Sequence, residues 1–539
     1  MTQPNNEQTR DVKALADDFL DRMCEISPLM ASEEGFSEYD DRIGDLSPRK
    51  HERLARLART TQQLIKSCEL NNFHDHLCAD VLNDYCTDLI DEYESGDWVR
   101  CINIMTNPLD TIHSTCYNVN ESDEIEIEKR EKKIAEIPEA LKSYRATLRY
   151  GVDHDCLPRR TQLVQMAYNC SLFANDPLFV STPARNAYLT FGAFLTDDII
   201  PRSKENDAVG PEQYLRAAKR HLGKTINLEE TYQWGWHEIH SIFDEIALVI
   251  QDLNPGKSYR ETIEMLEHDE TRTASSPSEL QTFLQDLLDE SVRELNGTHF
   301  DIDPRLITIE ACLFDEAGSS AMYYSTPSED FSRPGRTYYP INGKKSFPLW
   351  EEVTTCYHEG LPGHHLHIGT IKCLGDDFSR FQKTVAFNTG ESEGWALYAE
   401  RLMVELGYNN DPAYIFGMLN ASLFRATRIV MDIGLHCEFT IPIDAPVIFP
   451  RGEKWTKETA VNVLQDVIGM SESYARDEVH RYLGWIGQAI SYKIGEKTIH
   501  DLRERERKRL GSTFSLKEFH SRVLGYGHIG LGRLEALFE

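Results

Sequence analysis

Thr354-Thr355-Cys356-Tyr357-His358-Glu359-Gly360-Leu361-Pro362-Gly363-His364-His365-Leu366-His367 sets a His-Glu pair and three further histidines inside a helical stretch. A His-Glu pair followed closely by another His lets a helix offer two imidazoles to zinc, with a carboxylate beside the water to be activated. The usual spacing is H-E-x-x-H, but here Pro362 stands in the fourth position. On an ideal helix a six-residue step turns about 600°, leaving His364 about 120° from His358, while His365 lines up but lies about 10 Å along the axis. Neither shares a metal with His358 on a straight helix. Pro362 cannot donate to the His358 carbonyl, and Gly363 tolerates almost any backbone angle. Either the helix is bulged at Pro-Gly and His364 returns to a common metal, or these are separate histidines near a helix start. A second His-Glu pair, Trp236-His237-Glu238-Ile239-His240, spaces its histidines by three and has no acidic partner segment, so it is read as no site.

What distinguishes the first cluster is its sequel, Asn388-Thr389-Gly390-Glu391-Ser392-Glu393-Gly394-Trp395-Ala396-Leu397-Tyr398-Ala399-Glu400, a helical pattern rich in carboxylates. Glu391 and Glu393 are two apart, so on a helix they point about 200° away from each other and only one can face a given metal.

Around these segments the chain reads as helix. Ser47-Pro48 supplies an N-cap and a first-turn proline ahead of Leu54, Leu57, Leu64 and Ile65. Ile134, Ile137, Leu141, Tyr144 and Leu148 form one helical stripe that Pro138 is expected to bend or split and Gly151 to end. A further helix is predicted over 242–253, before Asn254-Pro255-Gly256. Between about 301 and 345 the pattern changes: Ala321 to Ser325 and Arg336 to Ile341 look extended, and Asn342-Gly343 makes a hairpin turn. The run Asp501 to Leu510 reads as the solvated face of a helix laced with i,i+4 pairs. The expected fold is mainly α, with a small antiparallel β-sheet near the middle. Residues 1–300 form an N-terminal helical half and 301–539 a catalytic half.

Composition narrows the function classes. The 539 residues carry 57 Lys plus Arg against 88 Asp plus Glu, a formal charge of −31. That balance disfavours non-specific binding to nucleic acid or anionic membranes. No apolar run approaches the roughly 18 residues of a membrane span, and MTQPNNEQTR at the start holds no apolar leader core. The protein is therefore expected to be soluble and cytoplasmic. The 12 cysteines contain no C-x-x-C pair and read as buried thiols.

The pair H-E-x-x-P-G-H (His358 to His364) and E-G-W-A-L-Y (Glu393 to Tyr398) resembles the hallmark of domain of unknown function 885, a largely bacterial family regarded as gluzincin-like metallopeptidase relatives. Glu393 to Tyr398 is also similar to the zinc-binding segment of aminopeptidase N-like enzymes. The resemblance runs nearly end to end: Pro28 to Asp40 with Leu46-Ser47-Pro48, Ala321-Met-Tyr-Tyr324 with Ser332-Arg-Pro-Gly335 and Tyr338-Tyr339, and Glu478 to Tyr482 with Gly487 to Gly495. Ile486 stands where the family usually has Pro.

The resemblance implies a large multi-helix gluzincin-like architecture and one Zn2+ per chain, held by His358, His364 and Glu393, with Glu359 as general base. Tyr492 and Tyr339 are candidate oxyanion donors. Arg333, Arg336, Arg481 and Lys493 are candidates to fix a substrate carboxylate, and Tyr324 lies in an extended segment able to pair with a peptide backbone. His365 and His367 are read as structural or supporting. The implied function is zinc-dependent hydrolysis of a peptide or other amide bond in a peptide or amide-containing small molecule, with no nucleic-acid or membrane partner. The alternatives are a non-catalytic ligand-binding member of the fold and a non-haem iron enzyme using the same two-His-one-Glu set. The oligomeric state is open, a homodimer included.

Overall fold

A computed structural model describes residues 11–103, 107–117, 119–315, 322–328 and 330–539. MTQPNNEQTR and Ala321 lie outside the described residues. The fold is mainly helical, and among the described residues five short strands fall between residues 273 and 348. The chain divides into two compact units: Met1–Ala208 with Asp376–Ala386 and His480–Trp485, and Val209–Gly375 with Phe387–Val479 and Ile486–Glu539.

In the first unit Ser47 caps the helix Pro48–Ile65 by accepting from the Arg49 amide. The predicted leucine stripe there is only half-buried, and Ala55, Ala58 and Thr61 lie innermost. The stripe from Ile134 to Leu148 is buried on the helix Glu124–Asp153, where the Tyr144 ring stacks on Phe191 at 5.6 Å. Pro138 does not split this helix, and Gly151 does not end it: the element runs to Asp153. Pro138 has no amide to give the Ile134 carbonyl, and the helix continues past that missing hydrogen bond. Gly151 instead lets the helix approach its neighbours, since a Cβ there would lie 2.9 Å from Val99.

The second unit carries both sheets. Strands β1 (Thr273–Ala274) and β5 (Phe347–Pro348) pair antiparallel, while β2 (Ile309–Phe314), β4 (Gly335–Pro340) and β3 (Tyr323–Ser325) form a three-stranded sheet in the order β2-β4-β3. The expectation of a purely antiparallel sheet is corrected here: β2 runs parallel to β4, and only β3 is antiparallel to it. Asn342 and Gly343 adopt the left-handed backbone of a turn, with φ of 49° and 68°. They close no hairpin, because the following strand, β5, pairs with β1. Glutamine side chains of the helix Pro277–Leu295 satisfy the outer edge of β2: Gln281 donates to the Ala311 carbonyl, and Gln285 exchanges hydrogen bonds with Ile309 and Ala311. β3 is the other edge.

The predicted helix over 242–253 is the end of a longer one, Leu228–Leu253. The helices Thr389–Glu405 and Ser491–Leu510 meet at Gly394 and Gly495, where a Cβ on Gly394 would lie 2.4 Å from the Gly495 backbone. The charged run in the second of these is not a wholly solvated face. Leu502, Arg503 and Glu506 are buried, and Arg503 reaches across to Glu405 at 2.7 Å.

Candidate metal centre

The geometric difficulty posed by the six-residue histidine spacing is resolved by a break. The helix Glu352–Glu359 stops, Gly360 to Gly363 turn through a cis Leu361–Pro362 peptide, and a new helix, His364–Cys373, begins. The turn closes on itself, for the Gly363 amide donates to the Tyr357 carbonyl at 3.0 Å and the His365 amide to Gly360 at 3.1 Å. His358 therefore ends one helix and His364 starts the next, a change of direction rather than a bulge within one helix. Gly363 is needed for space as well as for backbone freedom. A Cβ there would lie 2.0 Å from the His358 carbonyl oxygen and 2.4 Å from that of Tyr357.

Glu393 comes from the helix Thr389–Glu405, and its Oε2 lies 3.4 Å from Nε2 of both His358 and His364. The three ligand atoms fall within 4.8 Å of one another. Behind His358, Nδ1 donates to Glu400 at 2.7 Å, and Thr354 donates to the other Glu400 oxygen at 2.5 Å. Glu400 lies seven residues after Glu393, two turns along the same helical face. On the far side of His364, Ser392 Oγ is 3.5 Å from Nδ1. Glu359 is buried next to His358.

The donor set suits a divalent cation. Glu393 Oε2 is buried without a hydrogen-bond donor, although it faces two imidazole nitrogens. Burial disfavours a charged His358, yet Glu393, Glu400 and Glu359 outweigh it and lift the imidazole to about 9. Burial would raise Glu393 as well, but the two imidazoles hold it well below the usual carboxylate range. The carboxylates thus call for positive charge at this point, and a metal between the three ligand atoms would supply it. Replacing Glu400 by Gln is expected to weaken metal binding about 10–100-fold by loosening the His358 ring and reducing its basicity. Competition with a chromophoric chelator measures this, and unchanged affinity would mean that Glu400 does not orient the ligand.

The other predicted residues are distributed differently. Tyr492 lies beside the centre, its ring stacked 6.5 Å from that of His358, with the Arg428 guanidinium 4.7 Å from the Tyr492 ring centroid and bonded to Glu478 at 2.9 Å. Tyr339 is 1% exposed. Burial raises its phenol well above the ordinary value, with Cys356 the largest charged influence. Tyr324 bonds His365 Nδ1 at 3.1 Å, while His365 Nε2 donates to the Leu306 carbonyl at 2.8 Å. That second bond fixes the tautomer, so the Tyr324 hydroxyl donates. Arg333 holds the backbone carbonyls of Thr326 and Pro334, and Arg336 pairs with Glu310 across β2 and β4. Lys493 is buried between Glu238 at 2.8 Å and Glu496 at 2.5 Å. Arg481 lies in the other unit, over the rings of Tyr482 and Trp485. Tyr398, on the same helix as Glu393, bonds His520 and Arg503. His237 and His240 are exposed, as befits a decoy pair.

Sequence reading missed one cluster. His367, Glu391 and His528 converge with ligand atoms within 4.8 Å, and all three are buried. Burial pushes the His367 imidazole down to about 3 and lowers that of His528 as well. Nothing in the isolated segment Gly525-Tyr526-Gly527-His528-Ile529-Gly530 announces a partner more than a hundred residues upstream.

Comparison with known proteins places the fold. A family model described as "Bacterial protein of unknown function (DUF885)" matches residues 28–537. No curated protein matches. A solved structure of a candidate lipoprotein from Colwellia psychrerythraea is similar with a TM-score of 0.79 and 21% identity, covering 98% of both chains. A candidate lipoprotein of unknown function from Shewanella oneidensis is similar with a TM-score of 0.73 and 17% identity, covering 98% of this chain and 100% of that one. These descriptions overturn the cytoplasmic expectation, because lipoproteins belong to the cell envelope. Charge and hydropathy, the grounds of that expectation, do not distinguish a cytosolic domain from the water-exposed body of an envelope protein. Among the described residues no helix is long and apolar enough to cross a membrane. Matched by its family model from residue 28 to residue 537, the chain belongs to the DUF885 family of bacterial proteins.

Proposed function

We propose that this chain is a zinc-dependent hydrolase of peptide or other amide bonds. The observation that carries the reading is the convergence of His358, His364 and Glu393 with Glu359 next to the first ligand. Two imidazoles and one carboxylate oxygen leave a fourth position, which at a partly exposed centre is open to water and substrate. Glu393 keeps 17% side-chain exposure, which supports access to the centre. The three ligands come from three helices, and a glutamate on a helix downstream of two histidines keeps the ligand order of a gluzincin-like architecture.

When bound, the metal acts as a Lewis acid that polarises the scissile carbonyl and makes water acidic. The protein's residues do the rest. Glu400 and Thr354 hold the His358 ring in register. Glu359 takes the proton of the attacking water and delivers it to the leaving nitrogen. Tyr492, backed by Arg428, is the better placed of the two tyrosines to donate to the developing oxyanion. Among the described residues β3 is an edge strand, and an edge strand can take up an extended peptide. The lipoprotein descriptions of two structures with the same fold support the cell envelope as the place of action.

The test is a panel of peptide and small amide substrates, assayed before and after stripping with a chelator and after zinc is returned. Cleavage lost on stripping and restored by zinc is the expected result. Cleavage indifferent to stripping, or no metal uptake at neutral pH, rules the reading out.

A further inference from the structure

We propose that His367, Glu391 and His528 form a second, closed site for a zinc-class divalent metal, separate from His358, His364 and Glu393, which pins the segment around His528 to the two helices bearing the first centre. The site rests on its own residues and stands or falls independently of hydrolysis. His367 follows His364 by one turn on the helix His364–Cys373, and Glu391 precedes Glu393 on the helix Thr389–Glu405. Because Glu391 and Glu393 point about 200° apart, their helix serves two clusters from opposite sides.

The carboxylate of Glu391 presents one oxygen to each imidazole. Its Oε1 is hydrogen-bonded to His367 Nε2, and its Oε2 stands 3.5 Å from His528 Nδ1. That second distance is long for a hydrogen bond, and both Glu391 Oε2 and His528 Nδ1 are buried without a hydrogen-bond partner. The side chains are only 0%, 2% and 3% exposed. Trp395 stacks on His367 and Phe387 packs edge-on against His528, so the walls are largely aromatic. Among the described residues no Lys or Arg is ion-paired with Glu391. A carboxylate in such surroundings needs a cation or a proton, and orphaned imidazole and carboxylate atoms facing one another favour a cation that bonds to all three.

Donor chemistry selects the ion. Two nitrogens and a carboxylate suit zinc or a neighbouring transition metal, whereas calcium and magnesium prefer all-oxygen cages. Both Glu391 oxygens together with the two imidazoles give four donor atoms, the number a structural zinc site uses. With so little exposure, no substrate reaches this position, and its consequence is mechanical: the metal ties three segments whose relative placement sets His364 against Glu393.

The experiment is metal stoichiometry of the full chain, stripped and then titrated with Zn2+, for wild type, His528→Gln, Glu393→Gln and the double variant. Two metals per chain are expected for wild type, one for each single variant and none for the double. One metal in wild type that His528→Gln removes and Glu393→Gln keeps would uphold this site while sinking the first. Stoichiometry in His528→Gln equal to wild type overturns the proposal. Should His528→Gln fail to fold, anomalous scattering from zinc-soaked wild-type crystals decides the matter: a peak between His367, Glu391 and His528 upholds the site, and its absence overturns it.

Discussion

Glu359→Gln is expected to retain its metal and to lose at least about 100-fold in turnover on any amide substrate the wild type cleaves. The amide is nearly isosteric with the carboxylate, and Glu359 is no member of the converging ligand set, so the cluster of His358, His364 and Glu393 is left intact. What disappears is the acceptor for the proton of the attacking water and the donor that protonates the leaving nitrogen. A loss of 100-fold corresponds to about 2.7 kcal/mol in the barrier. Because the residue is buried beside His358, local packing must be separated from proton transfer. Metal content and melting temperature measured on the same preparation do so: both unchanged with turnover lost marks a catalytic role. Near-normal turnover would show that another group activates the water.

How far the sequence disclosed this molecule depends on the range of the information. Helices announced by local signals are present: Ser47 caps where a Ser-Pro start is written, and the stripe from Ile134 to Leu148 is buried. Pro138 does not split its helix, because the core packing of Tyr144, Leu148 and their partners outweighs a proline's local cost. The sheet differs from expectation for another reason. Asn342-Gly343 does form its turn, but β2 is the parallel neighbour of β4, and no dipeptide encodes a pairing across twenty or more intervening residues.

The site shows the same division. His358, His364 and Glu393 could be proposed from two short motifs. Glu391 is tied instead to His528, 137 positions later, a pairing set by how the last turns of the chain pack. Lys493 and Arg336, offered as carboxylate binders because they are cations in motif segments, are engaged with Glu238, Glu496 and Glu310. Charge at a position says little about availability until its neighbours are known.

The largest structural effect is expected at Gly363, a residue with no ligand atom. The metal centre requires the chain to leave the His358 helix and start the His364 helix within four residues, and the turn succeeds because Gly363 passes directly over the end of the first helix. Its missing Cβ would sit 2.0 Å from the His358 oxygen, 2.4 Å from the Tyr357 oxygen and 2.6 Å from the His358 carbonyl carbon. These are backbone atoms, so no side chain can swing aside. Relief must come from moving His358 or His364, and both are candidate ligands. Even Gly363→Ala is therefore expected to destabilise the fold by at least the upper end of the roughly 1–3 kcal/mol typical of overpacking, and Gly363→Val by more. Zinc affinity should fall with it, because displacing either helix end pulls the imidazoles apart. Gly375→Ala is the matched control, since a Cβ there meets nothing within 4 Å. Urea midpoints and zinc titrations of the three variants provide the measurement. If Gly363→Ala matches Gly375→Ala in both, the close passage over His358 is not what sets the spacing of the ligands.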